Sequence, residues 1–307
     1  FLQSTKFLKY APSFKTSFSD DEVKKMFGSV DGWYHYFKIG NVENTNTRTS
    51  LNYQMWISQI IPTDLNGMKI LDIGANDGFY SFLCESRGAK RILAIDSNKR
   101  EFSDVYLKKL TEFNVKRGYE EHIMNNDMAW ANDISSEEQT FKNMVPTERF
   151  QILKKILNSK VDYKSMNVYD VDSIEETFDI ALLFGVYYHL ENPVLAFQKI
   201  FPKINDSLFL SGHIIESEEP IMYLQSTTNE KRRQEILKDA PGSFSPQLPR
   251  WIASSECLLR IGEGIGFKKC VLLDTLDILD GSTSCATNSD TNDLPHKSKI
   301  GLFKFSK

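Results

Sequence analysis

Apolar positions along the chain alternate between two spacings. Ile70-Leu71-Asp72-Ile73 is a near-continuous apolar run, the pattern of a strand buried on both faces. A turn carrying Gly74 and Gly78 follows, then a helical stretch over 79–88 closed by Gly88, then a second apolar strand over 91–96 that ends in Asp96. That is the strand–turn–helix–strand order of a βαβ crossover, which takes about 30 residues. Residues 161–170 read as a third strand with its exit turn, 178–184 (FDIALLF) as a fourth, 207–215 as a fifth, and 267–273 and 300–305 as two more. Helical periodicity covers 51–61, 99–115, 193–201 and 254–266, and is clearest over 146–159, where Phe150, Ile152, Leu153, Ile156 and Leu157 share one broad face. Ser19-Asp20-Asp21-Glu22 ahead of Val23, Met26 and Phe27 predicts a capped amphipathic helix.

Strands that alternate with helices predict an α/β fold: a Rossmann-like, doubly wound, mostly parallel sheet of seven strands. Residues 1–66, with the aromatic cluster Trp33-Tyr34-His35-Tyr36-Phe37, read as an N-terminal cap, and 67–307 as the core. Two stretches lose the periodicity. Residues 116–145 are polar, and 216–250 carry Pro220, Pro241, Pro246 and Pro249. Both are expected to be lid insertions. Right-handed crossovers place a ligand at the carboxyl ends of the strands. Asp72, Gly74, Asp96, Asn167, Phe184 and Gly185 all fall there.

Composition changes this picture little. With 307 residues, 41% hydrophobic and 25% charged, the chain has material for a large core. A net charge of −4 supplies no global basic field, so a nucleic-acid partner is not expected. No apolar run reaches the ~18 residues of a membrane helix, and FLQSTKFLKYAPSF lacks a signal-peptide layout. A cytoplasmic protein without membrane attachment is the expectation. Cys84, Cys257, Cys270 and Cys285 form no C-x-x-C pair and no His cluster accompanies them. They are expected to be reduced thiols, with no metal site.

The first turn defines the candidate chemistry. A dinucleotide fingerprint is G-x-G-x-x-G, with a pyrophosphate on the helix N-terminus. Here Asn76 replaces the middle glycine and Phe79 the third. Asp72 and Asp77 flank and enter the turn, where they would repel a pyrophosphate and suit an ammonium. S-adenosyl-L-methionine (SAM) has an ammonium, a ribose and no phosphate, and Asp96 can accept both ribose hydroxyls. The turn alone also admits another doubly wound protein.

The stretch FDIALLFGVYYHLENP over 178–193 resembles a subgroup of class I SAM-dependent methyltransferases. That subgroup includes the tRNA wobble-uridine carboxymethyltransferase and bacterial methyltransferases associated with glycosyltransferases. Trp33-Tyr34-His35, the DIG-x-x-DGF-Y-SF turn and Arg87-Gly88-Ala89 strengthen the resemblance, which covers roughly 30–275. It implies that Asp72, Gly74, Ala75, Asn76 and Gly78 line the methionine half of SAM and that Asp96 and Ser97 take the ribose. It also implies that Asn167 and Val168 hold the adenine, with Phe184 and Gly185 under the reactive methyl. An Asn carbonyl oxygen can accept the adenine amino group. The chain departs from the subgroup at Leu190-Glu191, where the wobble-uridine enzyme, which uses a carboxylated SAM, is expected to have a basic residue. Ordinary SAM is therefore expected, although Arg48 or Arg250 could bring a cation from a lid.

Methyl transfer to a hydroxyl needs a base. His189, just past the fourth strand, is the first candidate, since its unperturbed pKa near ~6.5 suits neutral pH. His213 and Glu216 come second. His35 belongs to the aromatic cap, and His122 and His296 sit in polar loops. Trp33, Tyr34, His35, Tyr53, Tyr188, Glu216, Arg250 and Trp251 are the candidate acceptor-binding residues. The expected activity is methyl transfer to a small polar acceptor, such as a hydroxyl of a sugar or glycan. An RNA-modifying transferase and a non-catalytic SAM-binding protein are the alternatives.

Overall fold

The computed structural model describes residues 12, 14–30, 33–44, 47, 49–97, 146–225, 250–277 and 298–307. The cap begins with α1 (Asp20–Phe27), closed by a capping box: the Ser19 hydroxyl accepts the Glu22 N–H and the Glu22 carboxylate accepts the Ser19 N–H. A small hairpin, β1 (Lys38–Ile39) and β2 (Val42–Glu43), leads to α2 (Leu51–Ser58), whose first turn is held by Ser50 Oγ accepting from Tyr53 N–H.

The core then runs β3 (Lys69–Ile73), α3 (Phe79–Ser86), β4 (Arg91–Asp96), α4 (Pro146–Ile156), β5 (Asp162–Ser165) and β6 (Phe178–Phe184). It continues with α5 (Pro193–Ile200), β7 (Ile204–Ile215), β8 (Met222–Gln225), β9 (Arg250–Ser254), α6 (Ser255–Ile265), β10 (Lys269–Asp277) and β11 (Ser298–Ser306). Pro193 sits at the start of α5, where its missing N–H is no loss. Ser254 caps α6 by accepting the Cys257 N–H at 3.1 Å.

The sheet path is β10-β11-β7-β6-β3-β4-β5. β7, β6, β3, β4 and β5 are parallel, and β11 is antiparallel to both its neighbours. This is the expected seven-stranded ribbon. Two more strands extend it: β9 joins parallel to the end of β7 and β8 pairs antiparallel with β9. The expected lid at 216–250 is therefore anchored in the sheet at both ends, with 226–249 outside the described residues. The expected helix over 99–115 and the lid over 116–145 also lie outside them.

The central strands are apolar on both faces because both faces are covered. On one, Ile70, Ile180, Leu182 and Phe209 pack against Phe37, Met55 and Trp56 of the cap, Phe79 and Phe82 of α3, and Phe150 and Leu153 of α4. On the other, Leu71, Ile73, Ala181 and Leu183 pack against Phe197 of α5 and Leu258 of α6. Each such side chain contributes roughly 1.5–3 kcal/mol through burial. The cap thus shares one hydrophobic cluster with the core. It also reaches the far sheet edge, where Trp56 Nε1 donates to Asp274 Oδ2 at 2.8 Å. Cys84 and Cys257 are buried free thiols. Among the described residues no helix is long and apolar enough to cross a membrane.

From β3 the chain winds one way through β4 to β5, and from β6 the other way to β7. The reversal lies between β3 and β6, the place where open α/β sheets bind ligands.

Candidate functional site

The turn leaving β3 is built by two left-handed glycines, Gly74 (φ +77°) and Gly78 (φ +89°). A Cβ on Gly74 would stand 2.4 Å from Val186 Cγ2, and one on Gly78 would stand 2.5 Å from the Phe150 ring. The turn is therefore clasped from both sides and tolerates no side chain at either point. Gly74 and Ala75 both donate N–H to Ile95 O, at 2.8 and 3.1 Å. Asn76 is also left-handed (φ +51°), and its N–H donates to Asp96 Oδ2 at 2.7 Å. The turn and the acid at the end of β4 form one unit. Asn76 Oδ1 is buried and has no hydrogen-bond partner among the described residues.

The acids of the turn have separate roles. Asp77 is fully buried and accepts the N–H groups of Tyr34 (3.0 Å) and His35 (2.8 Å), and the His35 ring Nδ1 faces its other oxygen. The expected ammonium partner thus fastens the cap to the turn. Burial alone would raise the Asp77 pKa, but the imidazole and backbone of His35, with the charge of Arg149, hold it below the usual carboxylate range. Asp72 accepts from Ser81 Oγ at 2.6 Å, and burial pushes its pKa up to about 6. Burial also pushes Asp96 up to about 6, against the N–H groups of Asn76 and Ser97.

Arg149 of α4 is 4% exposed, and its charge lowers the pKa of both Asp77 and Asp96. The sequence reading missed it. The available signal was its spacing, since Arg149 precedes Leu153 and Ile156 on the stripe that α4 turns inward.

Phe184 ends β6. Gly185 N–H donates to Ser211 O at 3.0 Å, which joins the β6 exit to β7. Tyr80, in the first turn of α3, meets the Phe184 ring edge-on with centroids 4.9 Å apart and the His35 ring at 5.2 Å. The Tyr80 hydroxyl and Ser211 Oγ are both buried, with no hydrogen-bond partner among the described residues. An unsatisfied buried hydroxyl costs about 1–3 kcal/mol. Tyr80 lies in the DIG-x-x-DGF-Y-SF turn without a role assigned to it there, and Ser211, a serine in an apolar strand, carries no motif.

Beyond Gly185 a 3-10 turn, Tyr187–His189, carries the candidate base. Tyr187 donates its hydroxyl to His213 O from full burial, and Tyr188 lies edge-on to the His213 ring at 4.7 Å. His189 is exposed, 4.3 Å from the Tyr188 ring. Trp251 of β9 donates its indole N–H to Glu191 O at 3.0 Å, so β9 braces this turn. Glu216 is exposed and paired with Lys299 of β11, an ion pair where a second base was expected.

In the cap, Trp33 is 3% exposed and donates to Phe27 O at 3.2 Å. It seals the cap interior, where a pocket wall was expected. Tyr34 is half-buried beside the turn, and Tyr53 is half-buried and stacked on Trp56. Asn167 lies just past β5 and accepts the Tyr169 N–H at 3.1 Å, which opens the 3-10 turn Val168–Ser173, while Val168 is buried beside it. Arg48 and the side chain of Arg250 lie outside the described residues. Two groups of residues therefore stand on one sheet edge: Gly74, Asn76 and Asp96 at the turn, and Phe184, Tyr188, His189 and Trp251 around the β6 exit.

No family model matches the chain. A tRNA U34 carboxymethyltransferase of Campylobacter hominis is 24% identical over 160 residues, which is 52% of this chain and 40% of that protein. The match thus spans less than half of that relative. The N-terminal domain of EvdMO1 with SAH (S-adenosylhomocysteine) bound has a TM-score of 0.56 at 11% identity, covering 94% of this chain and 98% of that one. The same domain in the presence of SAH and D-fucose gives 0.55 at 11% identity, with 94% and 98% covered. At such identity the likeness is one of fold. The chain shares its Rossmann-like, mostly parallel α/β fold with this SAH-binding domain.

Proposed function

We propose that the chain is a SAM-dependent methyltransferase that acts on a hydroxyl of a small polar acceptor. The observation that carries this reading is the union of the glycine turn with Asp96 through Asn76 N–H, 2.7 Å long. SAM supplies an electrophilic methyl group on a sulfonium. The residues fit it on three counts. A side chain at Gly74 or Gly78 would fill the cradle, Asn76 Oδ1 is a buried acceptor without a protein donor among the described residues, and Asp96 ends β4 with a carboxylate, which can accept ribose hydroxyls.

Gly74, Ala75, Asn76 and Gly78 would hold the methionine half, with Asp72 beneath, and Asp96 and Ser97 the ribose. Asn167 Oδ1 has a second lone pair for an adenine amino group, with Val168 beside the ring. Phe184 and Gly185 would form the floor at the reacting centre. Alignment of acceptor, methyl and sulfur is the main catalytic demand. His189 stands at the mouth, where it takes the acceptor's proton. Tyr34, Tyr53, Tyr188 and Trp251 supply aromatic surface for the acceptor.

A net charge of −4 and the pair Leu190-Glu191 support an uncharged acceptor and ordinary SAM. Calorimetry with SAM and SAH is the first test, and absence of binding by the intact chain sinks the proposal. The Campylobacter relative favours a second reading, an RNA-modifying transferase. That reading requires RNA affinity that falls steeply with salt, and no RNA binding at low salt removes it.

A further inference from the structure

We infer that Tyr80 and Ser211 form the acceptor subsite: two buried hydroxyl residues that both neighbour Phe184 and take a neutral, hydroxyl-bearing ligand such as a sugar. The inference rests on the methyltransferase reading and deepens it.

Buried hydroxyls are almost always hydrogen-bonded, because burying one unpaired is unfavourable. Here two such hydroxyls, without a partner among the described residues, belong to neighbours of one residue, Phe184. The Tyr80 ring lies edge-on to Phe184 at 4.9 Å. Ser211 is the partner of Phe184 in the parallel β6–β7 ladder, as Phe209 is of Leu182. Paired residues in a ladder share a face, so Phe184 and Ser211 both stand on the face that the cap covers, as Phe209 and Leu182 do. This is also the carboxyl end of β6, beside the β3–β6 reversal.

The chemistry selects the ligand. The walls are rings: Tyr80 contacts Phe79 and His35 as well as Phe184. Each hydroxyl both donates and accepts, which matches another hydroxyl better than a formal charge. An anion would meet Asp72 and Asp77 nearby. A cation would find both carboxylates already engaged, by Ser81 and by His35. A neutral polyol meets neither obstacle. The subsite lies on the face of Phe184 that the cap covers, at the β6 exit from which the turn carrying His189 departs.

Tyr80→Phe and Ser211→Ala each delete one hydroxyl and leave the packing. Protein saturated with SAH is titrated calorimetrically with D-fucose and with methyl α-D-glucopyranoside, and thermal unfolding is recorded without sugar. One lost hydrogen bond should weaken sugar binding about tenfold in each variant, with the SAH Kd within about twofold of the parent. The sugar-free variants should unfold at the same or a higher temperature, because an unsatisfied buried group has gone. Two variants guard against one failing to fold. Sugar binding absent in the SAH-loaded parent, or unchanged in both variants, overturns the subsite alone. Sugar and SAH affinity falling together also overturns it, since the hydroxyls would then serve the turn. A parent that binds no SAH overturns the methyltransferase reading, and the subsite with it.

Discussion

His35 and Asp77, 42 positions apart, are joined twice: the His35 backbone N–H donates to one carboxylate oxygen and the ring Nδ1 faces the other. Tyr34 adds a third contact through its own N–H. The pair fixes the cap onto the turn that precedes α3. Asp77 is fully buried, and leaving a buried carboxylate without its partner typically costs about 3–5 kcal/mol. His35→Ala should therefore lower stability by about 3 kcal/mol or more in urea unfolding and weaken SAH binding, because the turn loses its tether. An unchanged urea midpoint would show that the pair adds no net stability.

Gly74→Ala combines a forbidden conformation with a collision. At φ +77° the new Cβ lies 2.4 Å from Val186 Cγ2. A stability loss of roughly 1–3 kcal/mol is expected, together with loss of SAH binding. Adding Val186→Ala should recover the collision part and not the conformational part. A double-mutant cycle separates the two.

Asp96 should control cofactor affinity through its charge. Its pKa of about 6 means that the ionised acceptor is lost as pH falls below that point. SAH affinity is expected to drop between pH 7 and pH 5 in the parent protein and to be flat in Asp96→Asn. Asp96→Ala should abolish binding. Calorimetry across that pH range decides, and a parent profile as flat as the variant's removes Asp96 from the role.

Asp72 makes a prediction of the opposite kind, about stability. Its folded pKa of about 6 exceeds the ~3.9 of an unfolded Asp, so the folded state holds the proton more tightly. Its contribution is fully present below pH ~4 and is lost as pH rises through about 6, on the order of 3 kcal/mol. Asp77, with its lowered pKa, runs the other way and favours folding at higher pH. Asp72→Asn keeps an acceptor for Ser81 and abolishes the first slope. Relative to the parent, it should gain stability between pH 4.5 and pH 7, read from urea midpoints.

His189→Gln should leave SAH binding intact and slow methyl transfer to a hydroxyl acceptor by roughly 10²–10⁴-fold, the usual range for a general base. Normal turnover by this variant would take His189 out of the mechanism.

The parallel strands were readable in the sequence because each is buried on both faces, so apolar runs such as FDIALLF mark them directly. The glycine turn was readable because Gly74 and Gly78 combine a left-handed backbone with neighbours that leave no room for a Cβ. What escaped depended on tertiary partners. Asp77 has the same chemistry whether it faces a ligand or His35, and the choice is made by a cap 42 residues away. β8 and β9 are short, and Arg250-Trp251 beside Pro249 gives no alternation. Their pairing is decided by the overhanging end of β7. Trp33 and Glu216 carry residue types that suit a pocket, yet indole N–H to carbonyl and carboxylate to Lys299 are contacts that no spacing in the sequence announces.

The contact from Trp56 to Asp274 spans 218 positions of chain. β10, which carries Asp274, reaches the sheet only through β11, near the last residue of the sequence. Loop closure over such a separation is slow, and folding rates fall as contacts become less local. The cap helix α2 cannot complete its packing until β11 has paired with β7 and β10 with β11. Met55 and Trp56 can pack on the central strands before that, but the Trp56 indole finds its acceptor only when the antiparallel edge of the sheet is complete, so the tie between cap and far edge is a late, non-local contact.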